Sequence, residues 1–294
     1  MRTMPGMFEH NESLRDALQR NVRDALMEDI GRGDWTAQLV PAGRRVTGRV
    51  RAKEAAILCG RPWFDACVKA LDGSAALTWS VNEGQRVEAG TEVVCIEAEA
   101  RALLSAERPA LNFLQLLSAV ATTTRDYVDA IAGLSPNPRG CIVLDTRKTL
   151  PGLRQAQKYA VRVGGGSNQR MALWDGILIK ENHIAAGGGV AAALQAAQAL
   201  QAGVAIQVEV ESLDELRQAL AAGATSVLLD DFSLVDMRRA CEINDGRALL
   251  EVSGGVDLQS IRDIARTGVD RISSGKLTKD VRAIDLSLRV DPLA

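Results

Sequence analysis

The chain has 294 residues and a formal net charge of −2; 47% of its residues are hydrophobic and 3% aromatic. That length allows one large α/β domain or two smaller ones, and the near-neutral balance disfavours a nucleic-acid-binding domain. Few aromatics beside abundant Ala, Leu and Val point to a helix-and-sheet enzyme core rather than a β-sandwich.

No apolar run of about eighteen residues occurs, so no membrane span is expected. The opening MRTMPGMFEHNESLRD has no apolar core segment and is not read as a secretory signal. Five scattered cysteines with no C-x-x-C suggest reduced thiols and a cytoplasmic protein. With only His10 and His183, a His-rich zinc site is excluded, and a Ser-His-Asp triad is left only through His183.

Residues 11–30 have helical spacing, with Leu14, Leu18, Val22 and Leu26 on one face, and the glycines at 31 and 33 end the helix. Strand-like runs follow at 46–53, 55–60, 75–81 and 91–100, with a short helix over 61–71 among them. A long helix is expected over 107–132, with Pro109 in its first turn, where a missing N–H costs nothing. Leu111, Leu114, Leu117, Ala121, Val128 and Ile131 form its apolar stripe. Residues 135–140 form a loop.

Beyond it the chain alternates apolar runs (141–144, 176–179, 204–210, 226–229, 248–252, 269–272) with amphipathic helices (190–200, 213–222, 234–243, 258–267). Such alternation implies parallel strands, and six of them suit a barrel. The fold class is therefore α/β, an N-terminal α+β sandwich domain followed by an open α/β barrel. The expected divisions are 1–134 for the first domain, 135–278 for the barrel and 279–294 for a C-terminal segment returning to the N-terminal domain.

Each apolar run ends in polar or glycine residues: Asp145 to Lys148, Lys180 to Asn182, Glu209 and Glu211, Asp230 and Asp231, Ser253 to Gly255, Ser273 to Gly275. Carboxyl ends of barrel strands form the active-site rim. In the third run Gln207, Glu209 and Glu211 share a face opposite Ile206, Val208 and Val210. Inward carboxylates need partners, which Lys180, Arg147 or a metal ion would supply; a purely structural ion-pair network inside the barrel is the alternative.

Residues 144–184 hold seven cations (Arg147, Lys148, Arg154, Lys158, Arg162, Arg170, Lys180) against three anions (Asp145, Asp175, Glu181). This island in a near-neutral chain suggests a pocket for small polyanions. Two glycine-rich segments, 253–255 and 274–278, follow late strands where backbone N–H groups can cradle phosphate. Neither a Walker A sequence nor a Rossmann fingerprint is present, and Gly187 to Gly189 reads as a simple loop.

The ordered pieces Glu28-Asp29, Gly33-Asp34-Trp35-Thr36, Glu107 to Asn112, Leu144 to Arg154, Lys158 to Val161, Gly164 to Gly166, Leu178 to His183, Val208 to Glu211, Leu229 to Phe232, Glu251 to Gly255 and Gly275 to Thr278 resemble the quinolinate phosphoribosyltransferase family over nearly the whole chain. The resemblance implies phosphoribosyl transfer from phosphoribosyl pyrophosphate to quinolinate with decarboxylation, giving nicotinate mononucleotide for NAD biosynthesis, with Mg²⁺. It also implies a homodimer with shared active sites, and no nucleic-acid or membrane partner. By motif match, Arg147 and Arg170 hold the substrate carboxylates, Lys148 lies nearby and Arg108 reaches in from the partner subunit. Lys180 bridges substrate carboxylate and sugar-phosphate oxygens. Glu209 and Asp230 hold ribose hydroxyls or Mg²⁺ and stabilise positive charge. Ser253, Gly254, Gly255 and Gly275, with Ser274 and Lys276 in the same loop, seat the 5′-phosphate.

This sequence departs from the family at Gln169, where His is usual, and at Ser274 and Lys276, where Val and Ala are usual. Gln keeps a hydrogen-bond donor but carries no charge. The alternatives are a paralogous phosphoribosyltransferase for another aromatic acid, a non-catalytic sensor of pyridine carboxylates, and a Schiff-base aldolase using Lys180.

Overall fold

The structure, a computed structural model, describes residues 11–292. His10, most of the N-terminal stretch and the last two residues of the C-terminal segment lie outside that range. Contacts divide the chain into two compact units: one takes residues up to 122, 150–163 and those from 282 onward, the other takes 123–149 and 164–281.

The first unit begins with helix α1 (Leu14–Ile30). Ser13 accepts the Asp16 N–H while the Asp16 carboxylate accepts from Ser13, a reciprocal cap that starts the helix. Gly31, at φ 50°, closes it by donating to the Met27 carbonyl. Strands β1 (Arg45–Ala52) and β2 (Ala56–Ile57), helix α2 (Arg61–Leu71), strands β3 (Ala76–Trp79), β4 (Arg86–Val87) and β5 (Glu92–Glu99), helix α3 (Ala100–Ile131, of which residues from 123 on count in the second unit), helix α4 (Arg154–Val163) and strand β12 (Leu286–Pro292) follow. The order β12-β1-β5-β3 makes an antiparallel sheet, and β2 pairs with β4.

Alternation in β1 is strict: Val46, Val50 and Ala52 are buried while Arg45 and Arg51 are exposed. Gly48 belongs to the inward set, and a Cβ there would lie 2.8 Å from Cδ2 of Leu103. The missing side chain lets α3 approach the strand closely. Trp63, Phe64, Leu103, Leu111, Leu114 and Leu117 complete this core.

The expected start of the long helix is corrected. α3 begins at Ala100, so Pro109 lies inside it and Arg108 sits within the helix rather than at its start. The Glu99 carboxylate accepts the Ala102 N–H at 2.8 Å, capping the helix as soon as β5 ends. Helix α4 was not among the expected elements. Its ten residues are rich in cations, yet Ala156, Gln157, Lys158, Ala160 and Val161 are buried.

The second unit contains β6 (Ile142–Leu144), β7 (Gly176–Ile179), α5 (Glu181–Gly187), α6 (Val190–Ala199), β8 (Ala205–Val210), α7 (Leu213–Ala221), β9 (Ser226–Asp230), α8 (Leu234–Asn244), β10 (Leu249–Ser253), α9 (Ile261–Ala265), β11 (Arg271–Ser273) and α10 (Lys276–Lys279). The sheet order is β6-β11-β10-β9-β8-β7 and its pairings are parallel. This is the expected open α/β architecture, with β6 and β7 as edges. Short α5 and α10 were not foreseen. The expected glycine loop is the turn between α5 and α6, where Gly188 takes φ 85°.

Side-chain alternation carries Val208 and Val210 of β8 and Val227 and Leu229 of β9 into full burial. Gln207 and Glu209 face the other way yet are also nearly inaccessible, so polar side chains enter the opposite face of the sheet beside buried Leu228. Ser212 and Ser233 cap α7 and α8. No described helix is long and apolar enough to cross a membrane. The cysteines are free thiols; burial pushes Cys67 and Cys141 up to about 12 and Cys241 up to about 11.

Truncating Leu103 to Ala should cost about 2–5 kcal/mol in denaturant unfolding. Gly48→Ala should cost less in that background than in the wild type, because the cavity accepts the added methyl. Additive losses would show that the two positions do not share a contact.

Candidate active site

The predicted strand ends of the second unit form one rim, and the sheet order is also their order around it. After β6, Asp145 is fully buried. Its carboxylate accepts the Gln169 N–H at 3.0 Å and the Asn168 side-chain amide at 2.5 Å, and its own N–H donates to the Ser167 carbonyl. A parallel bridge joins Leu144 to Ser167. The segment around 168–170 is thus fastened beside β6.

Arg170 emerges from this segment within electrostatic reach of Arg147. Burial first, then the like charge of Arg147, lowers the pKa of Arg170, while Glu209 opposes both. One guanidinium N–H of Arg170 donates to the Gly176 carbonyl at 2.9 Å. A Cβ at Gly176 would lie 3.4 Å from Cβ of Arg170, so the glycine leaves room for the arginine stem. The Arg170 backbone N–H donates to Oε1 of Gln169 at 2.6 Å.

Lys180 follows β7, and its Nζ lies 2.8 Å from both carboxylate oxygens of Glu209 on β8. The lysine is 44% exposed, whereas the glutamate is only 7% exposed. The partner sought for that inward carboxylate is therefore Lys180. His183 Nδ1 accepts the Lys180 backbone N–H at 3.1 Å, which makes it a cap of α5.

Asp230 ends β9, and Asp231 takes φ 54°, a left-handed conformation that Asp tolerates better than most residues. Gly254 has φ 96°, and a Cβ there would lie 2.7 Å from Oδ1 of Asp231 and 3.4 Å from Oδ1 of Asp230. Gly255 also has positive φ. The 253–255 loop therefore lies directly on the two aspartates.

The next loop packs on the first. A Cβ at Gly275 would lie 3.0 Å from Cδ of Lys148, and the Thr278 hydroxyl donates to the Lys148 carbonyl at 2.8 Å. Ser274 is buried: its N–H donates to the Leu144 carbonyl and its hydroxyl to the Val256 carbonyl. Lys276 Nζ lies 3.4 Å from the Asp257 carboxylate, whose pKa falls to about 2, chiefly through the Ser260 backbone N–H.

The rim thus unites Arg147, Lys148, Gln169, Arg170, Lys180, Glu209, Asp230, Ser253, Gly254, Gly255, Ser274, Gly275 and Lys276 within the second unit. Arg108 belongs to the first unit, where it is exposed beside Glu107. Arg154, Lys158 and Arg162 lie on α4, in the first unit, so the cationic island of the sequence is divided between the units. Sequence reasoning had not singled out Gln207 or Glu251 as site residues. Gln207 Nε2 donates to Glu251 at 2.9 Å, and Gln169 Nε2 donates to Gln207 Oε1 at 2.7 Å. The signal was a polar residue at an inward strand position in each case.

Two family models match the chain: the quinolinate phosphoribosyl transferase N-terminal domain over residues 34–118 and its C-terminal domain over residues 120–289. A nicotinate-nucleotide pyrophosphorylase (carboxylating) of Mycobacterium leprae is 42% identical over 283 residues, covering 93% of this chain and 97% of that protein. A quinolinate phosphoribosyltransferase (decarboxylating) of Nicotiana tabacum, described as mitochondrial, is 35% identical, covering 93% of this chain and 82% of its own length. The solved nicotinate-nucleotide pyrophosphorylase of Francisella tularensis superposes with a TM-score of 0.90 at 44% identity, covering 96% of this chain and 100% of that one.

The two glycines separate stability from geometry. Gly254→Ala faces both a positive φ and the Asp231 contact, and should lose about 1–3 kcal/mol in thermal unfolding. Gly275→Ala meets chiefly the flexible stem of Lys148, and should keep stability within about 0.5 kcal/mol while lowering kcat/KM. Equal melting losses in both would contradict this account.

Proposed function

Because the chain belongs to the quinolinate phosphoribosyltransferase family, whose decarboxylating phosphoribosyl transfer to quinolinate in NAD biosynthesis is the activity it carries, we propose how its own residues divide that reaction. The observation that carries this reading is a rim of strand ends where partly buried Arg170, tied to the Gly176 carbonyl, feels the like charge of Arg147 and where Lys180 is held on buried Glu209. Two guanidinium groups repel, and a ligand with two adjacent carboxylates relieves that repulsion while offering each fork a planar acceptor. Quinolinate is such a ligand. Gln169 lines the same place, and Lys148 stands beside it.

The donor is phosphoribosyl pyrophosphate. Its 5′-phosphate is taken by backbone N–H groups of Gly254, Gly255 and Gly275, beside Ser253 and the Lys276 ammonium. Ser274 contributes by holding the loop, since its N–H and hydroxyl are already committed to carbonyls. The ring nitrogen of quinolinate forms a bond to the sugar carbon as the bond to pyrophosphate breaks. Glu209 and Asp230 place negative charge where the sugar becomes cationic. Lys180, held on Glu209, reaches the substrate oxygens. With its nitrogen made cationic, the ring keeps the electron pair as carbon dioxide departs, and the carbon left behind takes a proton. The protein's part in that step is orientation.

Among the described residues no group of three or more His, Cys, Asp or Glu could hold a metal by itself. Glu209 and Asp230 fit Mg²⁺ of the kind that one or two carboxylates share with substrate phosphates. When bound there it would neutralise charge on the departing pyrophosphate.

The working form is a homodimer in which Arg108 of one protomer completes the site of the other. An exposed arginine within a helix, paired with its neighbour Glu107 at 3.3 Å, suits that service. Five free thiols fit a reducing compartment such as the cytoplasm.

Purified protein with quinolinate, phosphoribosyl pyrophosphate and Mg²⁺ should release carbon dioxide and form nicotinate mononucleotide, and chelation of Mg²⁺ should suppress it. Turnover of a different aromatic acid with none of quinolinate would overturn the substrate. Arg170→Lys should raise the KM for quinolinate about 10–100-fold, the loss expected when a fork donor becomes a point charge. Mixing inactive Arg108→Ala and Arg170→Ala proteins should restore activity through mixed dimers. A mixture that stays inactive after subunit exchange would refute the shared site.

A further inference from the structure

Glu251 is 1% exposed, in the middle of β10, on the face of the sheet that carries Gln207 and Glu209. A carboxylate there offers only acceptors, so the groups turned toward it must be donors. Gln207 Nε2 donates to Glu251 at 2.9 Å, and Gln169 Nε2 lies 3.4 Å from each of its oxygens. Both carboxamides therefore point nitrogen toward the anion. The freed Oε1 of Gln207 accepts the other N–H of Gln169 at 2.7 Å. Oε1 of Gln169 is thereby directed back to the Arg170 backbone N–H at 2.6 Å. One buried anion sets the polarity of the whole chain of bonds, and that chain ends on Arg170. The Gln169 backbone is held separately by buried Asp145.

We propose that Glu251 and Gln207 are positioning residues for diacid recognition: they orient the Gln169 carboxamide, and through it set the backbone of Arg170. This rests on the reading that Arg170 binds a quinolinate carboxylate. A second consequence concerns pH. Position 169 carries a neutral amide, so this part of the site brings no imidazole titration to substrate binding. The charged groups around it are Asp145, Arg147, Arg170, Glu209 with its Lys180, and Arg271, which stands in register with Glu251 on β11.

The decisive variant is Gln207→Met, which keeps the length of the side chain and removes both its donor and its acceptor. The quinolinate KM should rise about ten-fold, the size of a lost buried hydrogen bond. In this variant kcat and the KM for phosphoribosyl pyrophosphate should change by less than about two-fold, which a general loss of structure would not produce. Glu251→Gln keeps the shape and carries the same test if Gln207→Met fails to fold.

A wild-type quinolinate KM in Gln207→Met, or equal losses in both KM values and kcat, would overturn the proposal. Arg170→Lys, run in parallel, separates the two levels. If it raises the quinolinate KM while the position-207 variant does not, only the positioning role fails. If it too leaves that KM unchanged, the assignment of Arg170 itself fails.

Discussion

The second unit depends on a buried carboxylate at the edge of its sheet. Six parallel strands in the order β6-β11-β10-β9-β8-β7 leave β6 and β7 as edges. An unpaired anion in such a place would be costly. Asp145 instead accepts from Gln169 and Asn168, while Ser167 exchanges backbone hydrogen bonds with Val143 and Asp145. These bonds lay the 167–170 segment along β6 and set where Arg170 emerges. The arginine cluster is therefore a consequence of how the edge of the sheet is satisfied.

What gathers there is electrostatically unfavourable until a ligand arrives. Arginine stays protonated at any working pH, so its lowered pKa records a cost and not a loss of charge. Burial and Arg147 impose that cost on Arg170, and Glu209 offsets part of it. Glu209 is itself engaged by Lys180 through both oxygens. The rim thus brings cations together under partial burial, with Arg170 tied to the Gly176 carbonyl and Lys180 to Glu209. Such preorganised donors favour a compact diacid over a single carboxylate, because only the diacid answers both forks.

Much of this was legible in the chain because local chemistry and tertiary demand agree. Helix α2, Arg61–Leu71, and strand β7, Gly176–Ile179, lie where the sequence pattern puts them. Inward Glu209 was visible from alternation, and its cationic partner was among those expected. The rest needed three dimensions. Helix α3 starts well before Pro109 because Glu99 caps it, a contact no periodicity reports. Seven cations close in sequence read as one pocket, yet α4 carries three of them in the first unit and buries Lys158 there. Gln207 and Glu251 sit 44 positions apart, so nothing local ties them together.

The sheet order also sorts the chemistry. Arg147 and Lys148 follow β6, the glycine loops follow β11 and β10, the carboxylates end β9 and β8, and Lys180 follows β7. In the proposed assignment the phosphate lies over adjacent glycine loops, the sugar beside the neighbouring carboxylates, and the diacid near the two edges. A closed ring would pair β6 with β7 and leave no room for the 167–170 segment beside β6, where Leu144 now meets Ser167. Openness of the barrel is thus what admits Arg170, and with it the second fork that a diacid requires.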